Sequence, residues 1–95
     1  MTWITEFGSD YDVPARITTA PDLPDASWHN DACPAFGRNA DATDIMLWVE
    51  HPDPDKRELD GGRFTVSYAN GEHVFYAGDN LDDALGIYRQ LRWQA

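Results

Sequence analysis

The hydrophobic pattern divides the chain near residue 43. Before that point no helical period survives, and Pro14, Pro21, Pro24 and Pro34 interrupt the chain. TWITEF (2–7) and ARITTA (15–20) read as short strands, and residues 21–43 as an extended loop. The second half is sharper. DIMLWVE (44–50) is a compact apolar run, too short for a typical helix, that stops at His51-Pro52. HPDPDKRELDGG (51–62) is a polar connection. RFTVSY (63–68) and EHVFYA (72–77) then flank Asn70-Gly71, a dipeptide suited to both positive-φ positions of a type I′ hairpin turn.

A two-residue turn fixes a register. Tyr68 then faces His73, Val66 faces Phe75 and Phe64 faces Ala77, which places these six side chains on one face. GDNLDDALGIYRQLRWQA (78–95) reads as a helix capped by Asn80 or Asp79. Asp82 and Asp83 lie at its positive end, and Arg89 and Arg92 at its negative end. Leu81, Ala84, Leu85, Tyr88 and Leu91 form an apolar stripe that matches the Phe64/Val66/Phe75 face. Gly86 interrupts that helix, which points to a close helix–sheet approach. The predicted fold is α+β: one domain over 1–95, with an irregular segment (1–43) and a β-β-β-α unit (44–95). A small antiparallel sheet of 45–50, 63–68 and 72–77 carries helix 80–92 on one face. The irregular N-terminal segment covers the other, with Trp28, Cys33 and Phe36 as its buried plug and His29, Asn30 and Asp31 tying the loop backbone.

Charge changes the picture. Seventeen acids, thirteen of them Asp, face seven bases, of which Lys56 is the only lysine; the net charge is −10. Such a surface repels nucleic acid and anionic membranes and attracts basic partners. Solvation alone is the competing reading of the same composition. No apolar run approaches a membrane span, and MTWITEFGSDYD has no signal-peptide character, so the expected location is the cytoplasm. One cysteine excludes an internal disulfide.

Candidate chemistry concentrates in DASWHNDACPAFG (25–37). Cys33 precedes a proline among acids that disfavour a thiolate, and His29 has no recognisable third partner, so a structural thiol is expected. His29, Asp31 and Cys33, with dispersed His51 and His73, match zinc spacing poorly. The acids of 53–62 lack the glycine and glutamate of a calcium loop. Gly61-Gly62 precedes a strand and not a helix, so no phosphate loop is present. No cofactor and no catalytic residue are expected. His73 reads as a sheet-edge residue, and Trp3 and Trp93 as anchors of the chain ends.

Several features together resemble small acidic proteins of phages and mobile elements, of the anti-CRISPR type. They are the chain's size and acidity, its GGRFTVSYANGEHVFYAGDNLDDALGIYRQL unit, and its SWHNDACPAF loop followed by WVEHPDPDKRE. That resemblance implies inhibition by direct binding to a host nucleic-acid-handling complex, such as a CRISPR-Cas effector, in the host cytoplasm. The expected partner is a basic protein surface, with neither direct nucleic-acid binding nor membrane binding. The candidate contact residues are Asp53, Asp55, Glu58 and Asp60 on the loop, and Asp79, Asp82 and Asp83 at the helix start. Two other classes stand beside this one: an accessory domain that binds a protein through the Trp28–Phe36 loop, and a small metal- or thiol-dependent enzyme.

Overall fold

A computed structural model describes residues 2–38, 40–58 and 61–94, with backbone alone at Trp93 and Gln94. Candidate Asp60 and the side chain of Trp93 therefore lie outside the described residues. The elements run α1 (Trp3–Phe7), a 3₁₀ turn (Ser9–Tyr11), α2 (Ala15–Thr18), β1 (Ala35–Phe36) and β2 (Ile45–Val49). A 3₁₀ turn (Pro54–Lys56), β3 (Phe64–Tyr68), β4 (Val74–Gly78) and α3 (Leu81–Gln94) complete the order. The expected α+β class holds: an antiparallel sheet in the order β1-β2-β3-β4 carries the C-terminal helix.

The core lies where the apolar alternation and the helical stripe meet. Phe36, Leu47, Val49, Phe64 and Val66 from the sheet are buried against Ala84, Leu85 and Tyr88, with Leu81 and Leu91 packed beside them. Asn80 is the helix cap, its Oδ1 accepting from the Asp83 N–H at 3.0 Å. Gly86 needs another account. It is exposed and a side chain there would meet nothing within 4 Å, so no close approach explains it.

The hairpin departs from its predicted geometry. Among described non-glycine residues only Asp12 has positive φ, so Asn70 is not left-handed and the turn is not type I′. The Gly71 N–H closes the turn on the Tyr68 carbonyl at 2.8 Å, with Gly71 at φ +78°. The Ala69 and Asn70 N–H groups donate instead to Asp44 and Ala42, extending the β2–β3 pairing and pulling the turn toward β2. Ser67 still pairs with Val74 as the predicted register requires. A bulge then shifts the ladder, and Val66 pairs with Tyr76 and Phe64 with Gly78. Phe75, expected opposite Val66, sits at this irregularity and packs half-buried on the core. The extra residue re-aims β4 without moving Phe64 and Val66 from the helix face.

The N-terminal half departs further. The two expected strands are short helices. In α1, Thr2 and Thr5 satisfy each other's backbone N–H groups through their hydroxyls. Such reciprocal capping holds a five-residue helix that propensity alone would not. Nor does the segment cover only the far face. Val13, Ile17 and Leu23 join the same core as α3. The Tyr88 hydroxyl donates to the Asp22 carbonyl at 2.8 Å, and Arg89 pairs with the Asp22 carboxylate at 2.9 Å. Phe36, expected on the far face, is a strand residue on the near one. Cys33 is buried, whereas Trp28, expected as part of the plug, is 42% exposed. The far face carries Met46, Trp48, Thr65, Ser67 and Val74 by register. The Trp48 indole N–H donates to the Ser67 hydroxyl at 2.8 Å, and Val74 remains 54% exposed.

Candidate partner-binding surface

The acidic loop that follows β2 is built on His51. Proline at 52 and 54 breaks the strand, and the Asp53 carboxylate caps the 3₁₀ turn by accepting the Asp55 N–H at 3.0 Å. The Asp53 N–H donates to His51 Nδ1 at 2.9 Å, so that nitrogen is an acceptor. His51 Nε2 then carries the proton and donates to the Asp10 carboxylate at 3.0 Å. This bond, ahead of other contributions, holds the Asp10 carboxyl below the usual aspartate value. Tyr11 closes edge-on over the imidazole at 5.1 Å. A buried histidine thus fixes the loop root from a partner forty-one residues away.

Arg57 folds the loop from the other side. Its Nε donates to the His51 carbonyl at 2.7 Å and its Nη2 to the Pro52 carbonyl at 3.3 Å. Its Nη1 lies 3.5 Å from Asp79 Oδ1. The same Asp79 oxygen accepts the Arg63 N–H at 2.9 Å. The loop and the helix start are therefore joined at Asp79 through Arg57.

The six described candidates divide accordingly. Asp53, Asp55 and Glu58 are exposed on the loop. Asp79, Asp82 and Asp83 are exposed at the start of α3. Asp79 is paired with Arg57, and Asp82 with Arg16 of α2 at 2.7 Å. Among the described ion pairs, Asp53, Asp55, Glu58 and Asp83 have no basic partner. Sequence reasoning missed His51, Arg57 and Asp10. Only the break at His51-Pro52 marked the loop root, and nothing local names Asp10 as its partner.

The aromatic loop is held at one end by burial and presented at the other. Asp25 organises its entry, accepting the Trp3 N–H at 2.7 Å and the Ser27 N–H at 3.0 Å. Expected as a backbone tie, His29 instead lies 3.2 Å from Glu6 on α1 and stacks on Trp28 with ring centroids 4.5 Å apart. His73 is exposed at the sheet end, packed between Tyr68 and Phe75.

One group at the loop root is unlike the rest. Glu50 is 2% exposed, and neither carboxylate oxygen has a hydrogen-bond partner. The Cys33 thiol and the backbone N–H groups of His51 and Glu58 adjoin it without reaching it in hydrogen-bond geometry. Burial raises its carboxyl above the usual glutamate range, the nearby N–H groups and thiol oppose that shift, and the Glu58 charge adds to it. Burial also pushes the Cys33 thiol far up, so it stays protonated and is a poor nucleophile. Among the described residues no three His, Cys, Asp or Glu side chains converge as a metal site needs.

Comparison with known protein families, curated proteins and solved structures finds no match to this chain. No described helix is long and apolar enough to cross a membrane.

Proposed function

We propose that this chain is a non-enzymatic acidic binding protein. It inhibits a host nucleic-acid-handling complex, such as a CRISPR-Cas effector, by presenting carboxylates to its basic nucleic-acid-binding surface. Phosphodiester oxygens and carboxylate oxygens make the same charge-assisted bonds to Arg and Lys, so one can displace the other. The observation that carries this reading is the braced loop. Asp53, Asp55 and Glu58 project from a segment pinned by His51 and Arg57 and joined through Asp79 to the acids of α3. Prior bracing lowers the ordering cost of binding. The test is capture of host complexes from lysate at low and high salt, with their bound nucleic acid measured. The reading expects capture that weakens steeply with salt and displaces nucleic acid. Salt-insensitive capture of complexes that keep their nucleic acid contradicts it.

Trp28 favours a second reading, an accessory interaction domain without mimicry. Its exposed ring, stacked on a histidine fixed to α1, has the form of a docking side chain. In that case Trp28→Ala abolishes capture at every salt concentration, and neutralising the acids does not.

A further inference from the structure

Glu50 closes β2 and opens the acidic loop, and its carboxylate is buried without a partner. A charged carboxylate in that position is costly unless a cation or donors meet it. Two arginines belong to the same region, and both are engaged elsewhere. Arg57 serves the His51 and Pro52 carbonyls and Asp79. Arg63 serves the backbone carbonyl of Glu50 at 3.4 Å and those of Tyr11 and Asp12 at 2.9 and 2.7 Å. The groups beside the Glu50 carboxylate are the Cys33 thiol, the backbone N–H groups of His51 and Glu58 and the Glu58 carboxylate, and none of them is a cation. Asp31 adds its charge on the Cys33 side. Among the described residues the cluster holds carboxylates and no cation.

We infer that Glu50 anchors one guanidinium, an arginine side chain of the basic partner, in the cluster it forms with Cys33 and Glu58. The inference rests on the proposed function and deepens it, naming one specific contact within a diffuse acidic surface. Both oxygens of Glu50 lack partners, which suits the two parallel N–H bonds of a guanidinium fork. The acids do not converge tightly enough for a metal, but a planar cation spans a wider spacing. Guanidinium also sheds its hydration more readily than ammonium and stacks on aromatic faces. Both oxygens are shielded in the free state, so entry displaces neighbouring side chains.

Proton linkage supplies a signature. The free protein keeps the Glu50 proton to higher pH than an ordinary glutamate, because of burial first. Arginine entry expels that proton. Binding therefore strengthens as pH rises through the raised value. The Glu50→Gln variant separates this dependence from that of neighbouring groups, His51 among them. The Cys33 thiol and Tyr11 phenol are both held neutral by burial. Asp31, also raised by burial, changes charge in the same sense.

The test is an NMR titration of the whole chain with N-acetyl-arginine methylamide, and separately with its lysine counterpart. It runs at about pH 5.5 and about pH 8, on the natural protein, on Glu50→Gln and on the control Glu72→Gln, an exposed acid at the β3–β4 hairpin. The arginine compound is expected to shift the Tyr11, Cys33 and Glu50 signals saturably, more tightly at the higher pH and more tightly than lysine. Glu50→Gln is expected to weaken this by about tenfold or more and to remove its pH dependence, while the control retains both. No saturable shift up to about 100 mM overturns the inference. So does equal binding by Glu50→Gln, or equal binding of the lysine compound. No host partner enters this experiment, so its failure leaves the salt-dependent capture to stand or fall alone.

Discussion

Arg57 Nη1 lies 3.5 Å from Asp79 Oδ1, and this contact joins the acidic loop to the start of α3. The arginine side chain is nearly buried and the aspartate exposed, so the ion pair itself is worth little. The two carbonyl bonds of the same guanidinium, to His51 and Pro52, matter more. Arg57→Ala is expected to cost about 1–3 kcal/mol and leave the sheet intact. Hydrogen exchange should quicken at the amides of Asp53 and residues 55–58 and stay unchanged in β2 and β3. Unchanged exchange in the loop would show that His51 alone braces it.

Gly86 lies exposed in α3 with open space where a side chain would go. Gly86→Ala is expected to stabilise the protein by about 1 kcal/mol, because glycine costs the helix backbone entropy and alanine does not. A urea titration should show a higher midpoint and an unchanged slope. A lower midpoint would mean that this surface of the helix meets something the fold does not show.

The contrast between α3 and the N-terminal half shows what was legible in the sequence. The stripe of α3 and the alternation of β3 are long enough for periodicity to report burial, and Ala84, Leu85, Tyr88, Phe64 and Val66 are buried as expected. The bulge in β4 had no local signal. It follows from the Ala69 and Asn70 amides bonding toward β2, a tertiary contact that overrides the Asn-Gly preference. Helices of four or five residues carry too little period to be recognised, and α1 was marked only by Thr2 and Thr5. At the candidate site the acids were legible as composition. Their bracing was not, because Asp10–His51 and Arg57–Asp79 link residues far apart in sequence.

Glu50 gives the protein a particular pH dependence. Its carboxyl titrates above the ordinary value of 4.5 in the folded state, so its stabilising contribution is present below that value and fades as pH rises through the raised one. Asp22 acts in the opposite sense. The Arg89 hydrogen bond lowers its titration below 3.8, so its contribution is present above that value and is lost as pH falls. Glu50→Gln is expected to melt higher than the natural protein at about pH 8, with the difference shrinking toward about pH 4. A constant difference across that range would contradict a buried, titrating carboxyl.

Cys33 is fully buried and its thiol is held protonated by burial. Native protein is expected to resist a bulky aromatic disulfide reagent, with labelling no faster than unfolding exposes the thiol. Denaturant should release one fast-reacting thiol per chain. Rapid labelling of folded protein would place Cys33 at an accessible site and revive thiol chemistry.

The central claim is that clustered carboxylates, and no catalytic group, carry the function. Single exposed acids contribute little, whereas many contacts to one basic surface add. The most direct measurement compares partner affinity and nucleic-acid displacement for two multiple variants. One replaces Asp53, Asp55 and Glu58 together with Asp60, and the other replaces Asp79, Asp82 and Asp83, each by the matching amide. Thermal melts accompany both, since Asp79 also accepts the Arg63 N–H and Asp82 and Asp83 favour the helix start. The account predicts folded variants, with displacement lost in the loop variant and weakened in the helix variant, and a shallower salt dependence in both. Folded variants that bind and displace as the natural protein does, at low and moderate salt, would contradict it.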